Sequence, residues 1–266
     1  MEQTGNIRKM ASSFGSVIRY RLPLGDHLIE MNPLIGHRIH MEYQGRINCI
    51  RCGRETAKSF AQGYCYPCFN TAPETEECVL RPELCRAHEG VARDMEYARE
   101  HCLIEHVVYL ANTSGLKIGV TRNTQVPVRW IDQGAVQAVE LARTPNRFTA
   151  GLIEVALKTR LNDKTNWRKM LAGDGTEQMD LMAEKKRIAG MVPGDLQHYV
   201  VKGGEVLTMV YPVLHYPEKI KSINFDTDPV VSGVLSGIKG QYLIFEDSRV
   251  INIRKFGGYM IRFQAG

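Results

Sequence analysis

Residues 106–130, HVVYLANTSGLKIGVTRNTQVPVRW, decide how the middle of this chain folds. His106 to Ala111 is an apolar run with one aromatic hydroxyl, Tyr109, and reads as a buried strand. Asn112-Thr113-Ser114-Gly115 is turn chemistry, and Leu116 to Val120 is the return strand, so the spacing predicts a β-hairpin. Asn123 or Thr124 can cap the next helix, which carries Pro127 in its first turn and Arg129 one turn in. Gln133-Gly134 reads as a break. VELART, 139–144, is a third strand halted by Pro145. Phe148 to Leu161 is a helix carrying Glu154, 25 residues after Arg129, and another helix is expected from Asp163 through Trp167, Met170 and Leu171.

Outward from this module, VIRYRL, HLIEM and RIHMEY alternate like short strands between breaks at Pro23, Gly25, Pro33 and Gly45. Residues 71–102 are acidic and read as mostly helical after Pro82, and residues 175–191 have helical character. VLTMVYPVL, YLIFED and RVINIRK return to strands. Asn32-Pro33 leads into GHRIHMEYQGRI much as Asp228-Pro229 leads into GVLSGIKGQYLIF, which suggests that β segments from the two ends of the chain pair. The expected fold class is α+β. It comprises an N-terminal β segment (1–48), a zinc-binding region (49–104), an α/β module (105–175) and a helix plus C-terminal β segment (176–266).

All seven cysteines lie in the first 102 residues, and an odd number argues against a disulfide framework. Cys49-Ile-Arg-Cys52 and Cys65-Tyr-Pro-Cys68 stand twelve residues apart, the spacing of a four-thiolate structural zinc site. Gly53 and Pro67 suit the two metal-binding turns. Neither CxxC is placed as in a thioredoxin-like dithiol, after a strand and at a helix N-terminus. Cys78, Cys85, His88 and Cys102 form a possible second zinc site, with His101 or His106 as alternates to His88. Small buried thiols are the competing reading of that set.

No apolar run approaches the roughly 20 residues of a membrane helix, and the N-terminus lacks the apolar stretch of a secretory signal. A cytoplasmic protein without membrane association is therefore expected. Between Lys117 and Lys169 there are ten Lys/Arg and four Asp/Glu, whereas between Thr71 and His106 there are four Arg and nine Asp/Glu. Basic charge around the central module suits a phosphate-rich partner, and solvated helix faces would give the same count.

The order Tyr109, Lys117-Ile118-Gly119, Arg129, Glu154 resembles the GIY-YIG nuclease superfamily, in the branch where lysine replaces the tyrosine of the second motif. The first motif here is VVY rather than GIY, and seven residues separate Tyr109 from Lys117, fewer than in most members. The resemblance covers about residues 105–172. It implies a small antiparallel sheet with flanking helices, and DNA or RNA as substrate. It implies Tyr109 as general base, Lys117 and Arg129 as its cationic neighbours, and Glu154 as ligand to Mg²⁺ or Mn²⁺. Asn166, just before Trp167, matches the asparagine that follows the glutamate. The strings GLKIGVTR, PVRWIDQGA and DKTNWRKML also resemble a microbial family known only as a domain of unknown function, over nearly the whole chain. Each residue has a plain structural alternative: a strand aromatic for Tyr109, a surface cation for Lys117 or Arg129, and an i,i+4 partner of Lys158 for Glu154. A metal-dependent endonuclease, a non-catalytic zinc-containing nucleic-acid-binding protein and a zinc-stabilised protein scaffold all remain open.

Overall fold

The computed structural model describes residues 1–158, 161, 166–173 and 179–266. The helix start expected at Asp163 and most of the 175–180 stretch lie outside the described residues. In chain order the first strands are β1 (Glu2–Asn6), β2 (Ala11–Ser13), β3 (Arg19–Leu24), β4 (His27–Glu30) and β5 (Arg38–Ile47). Two short helices follow, α1 (Tyr66–Thr71) and α2 (Met95–His101). The middle holds β6 (His106–Asn112), β7 (Leu116–Arg122), α3 (Val128–Asp132), β8 (Gln137–Thr144), α4 (Arg147–Lys158), α5 (Trp167–Ala172), α6 (Leu181–Ala189) and β9 (Leu207–Thr208). The last strands are β10 (Lys221–Ser222), β11 (Val230–Lys239), β12 (Tyr242–Phe245), β13 (Arg249–Asn252) and β14 (Tyr259–Ala265). The fold is a mixed α+β structure with several sheets. No helix among the described residues is long and apolar enough to cross a membrane.

The chain forms two compact units. The first takes residues 1–70, 171–173 and 210–266. It is built on a seven-stranded sheet in the order β1-β14-β5-β11-β12-β13-β10. Alternation in β5 and β14 sends Ile39, Met41, Ile261 and Phe263 inward. The two segments that follow the Asx-Pro breaks do pair: β11 runs antiparallel to β5, with Ser232 opposite His40. Both chain ends thus close one sheet, β1 lying against β14. VLTMVYPVL is not one strand. Leu207–Thr208 pairs with β8, Val213 makes only an isolated bridge to Gly237, and Pro212, lacking an N–H, stands between them where a continuous ladder would need a donor.

Lys239 at the end of β11 is an anomaly in this core. It is 1% exposed, with its ammonium 5.4 Å and 5.1 Å from the Tyr211 and Tyr216 rings. Burial pulls its pKa down to about 8, against an ordinary 10.5. Folding therefore favours release of this proton relative to the unfolded chain. Stability tied to this group is complete above about 10.5 and falls as pH drops through 8. At neutral pH, Lys239→Met is expected to stabilise the protein by about 1–3 kcal/mol in urea unfolding, with the gain shrinking as pH rises through about 8 and gone by about 10.5. A destabilised variant at neutral pH would contradict this.

The second unit takes residues 71–170 and 174–209. Its sheet runs β7-β6-β8-β9, all antiparallel. Val108 and Leu110 of β6 and Ile118 of β7 pack with Ala150, Ile153 and Leu157 of α4 and Leu181 and Ile188 of α6. Strand alternation turns Tyr109 to the opposite face, where the Trp130 ring of α3 lies 5.8 Å away. The acidic residues before α2 form a series of short 3-10 turns, at Pro73–Thr75, Glu77–Val79 and Pro82–Leu84, rather than one helix. The prolines of this stretch stand at turn starts, where their fixed φ is useful, and prevent a longer helix. The acidic stretch shares this unit with the basic central module and cancels its charge. The second unit has eighteen Lys/Arg against nineteen Asp/Glu, and the first sixteen against ten.

Candidate functional site

Cys49, Cys52, Cys65 and Cys68 bring their sulfur atoms within 4.8 Å of one another. The Cys52 and Cys65 sulfurs are 3.8 Å apart. That is far beyond a disulfide bond, and it is the edge of a tetrahedron with metal–sulfur bonds of about 2.3 Å. Gly53 closes the first knuckle at φ +72°, its N–H donating to the Cys49 carbonyl. The second knuckle does open a helix, α1, contrary to expectation. A dithiol role gains nothing from this, because all four sulfurs share one cluster. Burial raises the pKa of Cys49, but backbone hydrogen bonds at Cys52, Cys65 and Arg51 outweigh it and bring the thiol down to about 6. Burial and the neighbouring thiols push Cys68 up to about 12. Crowded sulfurs that cannot all ionise alone are the donor set a zinc ion accepts.

Cys78, Cys85 and Cys102 form a second cluster, fully buried and equally tight. Hydrogen bonds from Cys102 and Cys78 hold Cys85 down to about 3, and the same contacts push Cys102 upward. Arg147 lies beside these sulfurs: one guanidinium nitrogen is 3.5 Å from the Cys78 sulfur and another donates to the His101 carbonyl at 3.1 Å. Its charge offsets thiolate charge in the interior. Among the described residues, no histidine joins this cluster, so the expected His88 ligand and its alternates His101 and His106 are not brought to it. The His88 ring stacks on Phe148 with centroids 4.3 Å apart, and His101 stacks on Tyr97. His106 is 1% exposed, its Nδ1 lies 2.8 Å from the Ile104 carbonyl, and its buried Nε2 has no hydrogen-bond partner. Burial lowers its pKa to about 4, so the ring is neutral. Gly151 of α4 lets this cysteine-bearing segment lie flush on the helix, because a Cβ there would collide with the backbone of Pro82 and Glu83.

The central cluster is organised by Tyr109. It stands opposite Gly119 in the hairpin register, and a Cβ at Gly119 would come within 2.6 Å of the phenol oxygen. The glycine of Lys117-Ile118-Gly119 is therefore the space that the tyrosine ring occupies. The Tyr109 hydroxyl donates to Gln133 Oε1 at 3.1 Å. Burial raises the pKa of Tyr109, the charge of Arg129 pulls it back and the charge of Glu154 raises it further; Arg129 also hydrogen-bonds to the phenol. Arg129 and Gln133, at α3 and its end, thus meet one oxygen, and the charge of Glu154 on α4 acts on it. Arg129 and Glu154 are half-buried, whereas Tyr109 is wholly enclosed. Lys117, two residues before Gly119, shares its face by alternation and is largely buried. Asn166 is exposed and caps α5: its side-chain oxygen accepts from Lys169 N–H at 3.2 Å, and its own N–H donates to Ser114 Oγ.

Sequence reasoning missed Gln133, Arg147 and Gly151. Gln133 carried a signal, standing beside a break-forming glycine at the end of α3. Arg147 carried none, because its partners Cys78 and His101 lie far away in sequence. A family model described as "Protein of unknown function (DUF2797)" matches residues 36–261. No curated protein and no solved structure matches the chain.

Proposed function

The chain belongs to the DUF2797 family, and we propose that it is a zinc-containing, metal-dependent phosphodiesterase acting on nucleic acid. The observation that carries this is the meeting of Arg129 and Gln133 on the buried phenol of Tyr109, over the gap left by Gly119, with the charge of Glu154 acting on the same phenol. The resemblance to the GIY-YIG superfamily supports the same activity. Arg129 meets the phosphate and the charge that builds on it. Glu154 would hold Mg²⁺ or Mn²⁺, which would supply Lewis acidity at the phosphate. The burial of Tyr109 argues against its acting as general base, since a base must reach the proton it takes. Its role is to position Arg129. Both cysteine clusters fit zinc as a structural ion that holds the segments around them.

This division of roles is testable. Arg129→Ala is expected to weaken both cleavage and nucleic-acid binding, because the cation is lost in each state. Tyr109→Phe is expected to reduce kcat by about 10- to 100-fold with KM little changed, as for other groups that orient a functional side chain. Complete loss in Tyr109→Phe, together with a missing basic limb in the pH–rate profile, would restore the phenol as base. Enclosure of the phenol also favours a second reading, a non-catalytic nucleic-acid-binding protein. Binding without cleavage of any substrate would select it.

A further inference from the structure

We propose that the four-cysteine ribbon of the first unit is a stacking platform for single-stranded nucleic acid, centred on Tyr66 and Lys58. The proposal rests on the nucleic-acid function above and gives that function its binding surface. Phe60 lies 5.4 Å from the Tyr66 ring and stacks on Phe69 at 5.7 Å. Phe60 is fixed in a tight hairpin, exchanging backbone hydrogen bonds with Tyr64 across a turn through Ala61, Gln62 and Gly63, all with positive φ. Phe60 and Phe69 thus make a small apolar base. Tyr66 leans on it and remains 59% exposed. A ring held on one side and open on the other is what an unstacked base requires.

Cations are spread over the ribbon that bears this ring. The Lys58 ammonium lies 5.4 Å from the Phe60 centroid. Arg51, Arg54 and Lys58 are exposed, and between Arg46 and Asn70 four Lys/Arg stand against one acidic residue, Glu55. Arg8 donates to the Ile50 carbonyl in the first knuckle at 3.1 Å, and Arg254 donates to Gln62 Oε1 beside the second at 2.6 Å. A cavity of about 270 Å³ next to the first knuckle is lined by Arg8, Arg46 and Asn48. A four-thiolate zinc ion brings about two negative charges of its own, which these cations more than offset. Positive charge on the ribbon that carries an exposed ring selects a strand with free base faces and a phosphate backbone; in a duplex those faces are already stacked.

The test is fluorescence anisotropy of the full chain with labelled oligo-dT, oligo-U and a duplex of the same length, at several salt concentrations. Zinc content is measured on every variant to show that the ribbon is intact. Tyr66→Ala is expected to weaken single-strand binding by about 5- to 100-fold, while Tyr66→Phe stays within about two-fold of the unmodified protein. Lys58→Ala is expected to weaken binding on every sequence and to reduce the salt slope by about one. Three results would overturn the platform: Tyr66→Ala binding as well as the unmodified protein, duplex bound as tightly as single strands, or polyglutamate bound as tightly as oligo-dT. If Arg129→Ala then still loses binding, the nucleic-acid function survives without the platform. If the unmodified protein binds no nucleic acid at low salt, both fall together.

Discussion

Glu154→Gln is expected to lower metal-dependent cleavage by about a thousand-fold while nucleic-acid binding stays within about two-fold, comparable to removing a principal charge-stabilising group from an active site. The substitution keeps the shape of the side chain on α4 and removes its charge. The charge is what would hold a cation, and its field already reaches the Tyr109 phenol. Loss of the carboxylate also relieves Tyr109 of a negative neighbour, so the raised pKa of the phenol should fall. That change is readable by ultraviolet titration of the tyrosines. Cleavage that survives Glu154→Gln would remove the glutamate from the chemistry, and equal loss of binding would make it a folding residue.

The second large effect concerns zinc. Protein purified without added metal is expected to carry two equivalents, one for each cysteine cluster. Structural zinc contributes roughly 10 kcal/mol or more of apparent binding free energy, and that free energy is also folding free energy. Cys49→Ser should therefore remove one equivalent and disorder the ribbon, seen as loss of hydrogen-exchange protection around residues 47–69. Cys85→Ala should remove the other equivalent and loosen the contact of residues 82–84 with α4. A chelated, metal-free preparation with unchanged exchange protection would show that packing alone holds both clusters.

The two clusters were unequally legible in the sequence. A CxxC pair is a local object, and its spacing alone places two sulfurs on one ion. The second cluster is not local: Cys102 caps the end of α2, Cys78 sits in the Glu77–Val79 turn and Cys85 ends the turn begun by Pro82. Its ligand types could be named from the sequence, but its partners could not. The same contrast runs through the fold. The hairpin of β6 and β7 was readable because two apolar runs flank turn chemistry, and Tyr109 and Gly119 then face each other by register. Gly119 could be quoted as part of a motif, yet its reason, the tyrosine ring that fills its space, needs coordinates. The seven-stranded sheet was visible only as a faint echo, since pairing between opposite ends of a chain leaves no local signature. The charge count misled for a related reason. Basic residues 117–169 and acidic residues 71–106 are separate in sequence but share one folded unit.

The central claim is that this chain hydrolyses phosphodiester bonds in nucleic acid with a divalent cation. The direct measurement is incubation of the zinc-loaded protein with end-labelled single- and double-stranded DNA and RNA, in Mg²⁺ or Mn²⁺ and in EDTA. Each is repeated with Glu154→Gln to exclude a contaminating nuclease. The expected result is discrete cleavage products that require the added cation and disappear with Glu154→Gln. Products identical in the variant, or no cleavage of any strand in either cation, would contradict it.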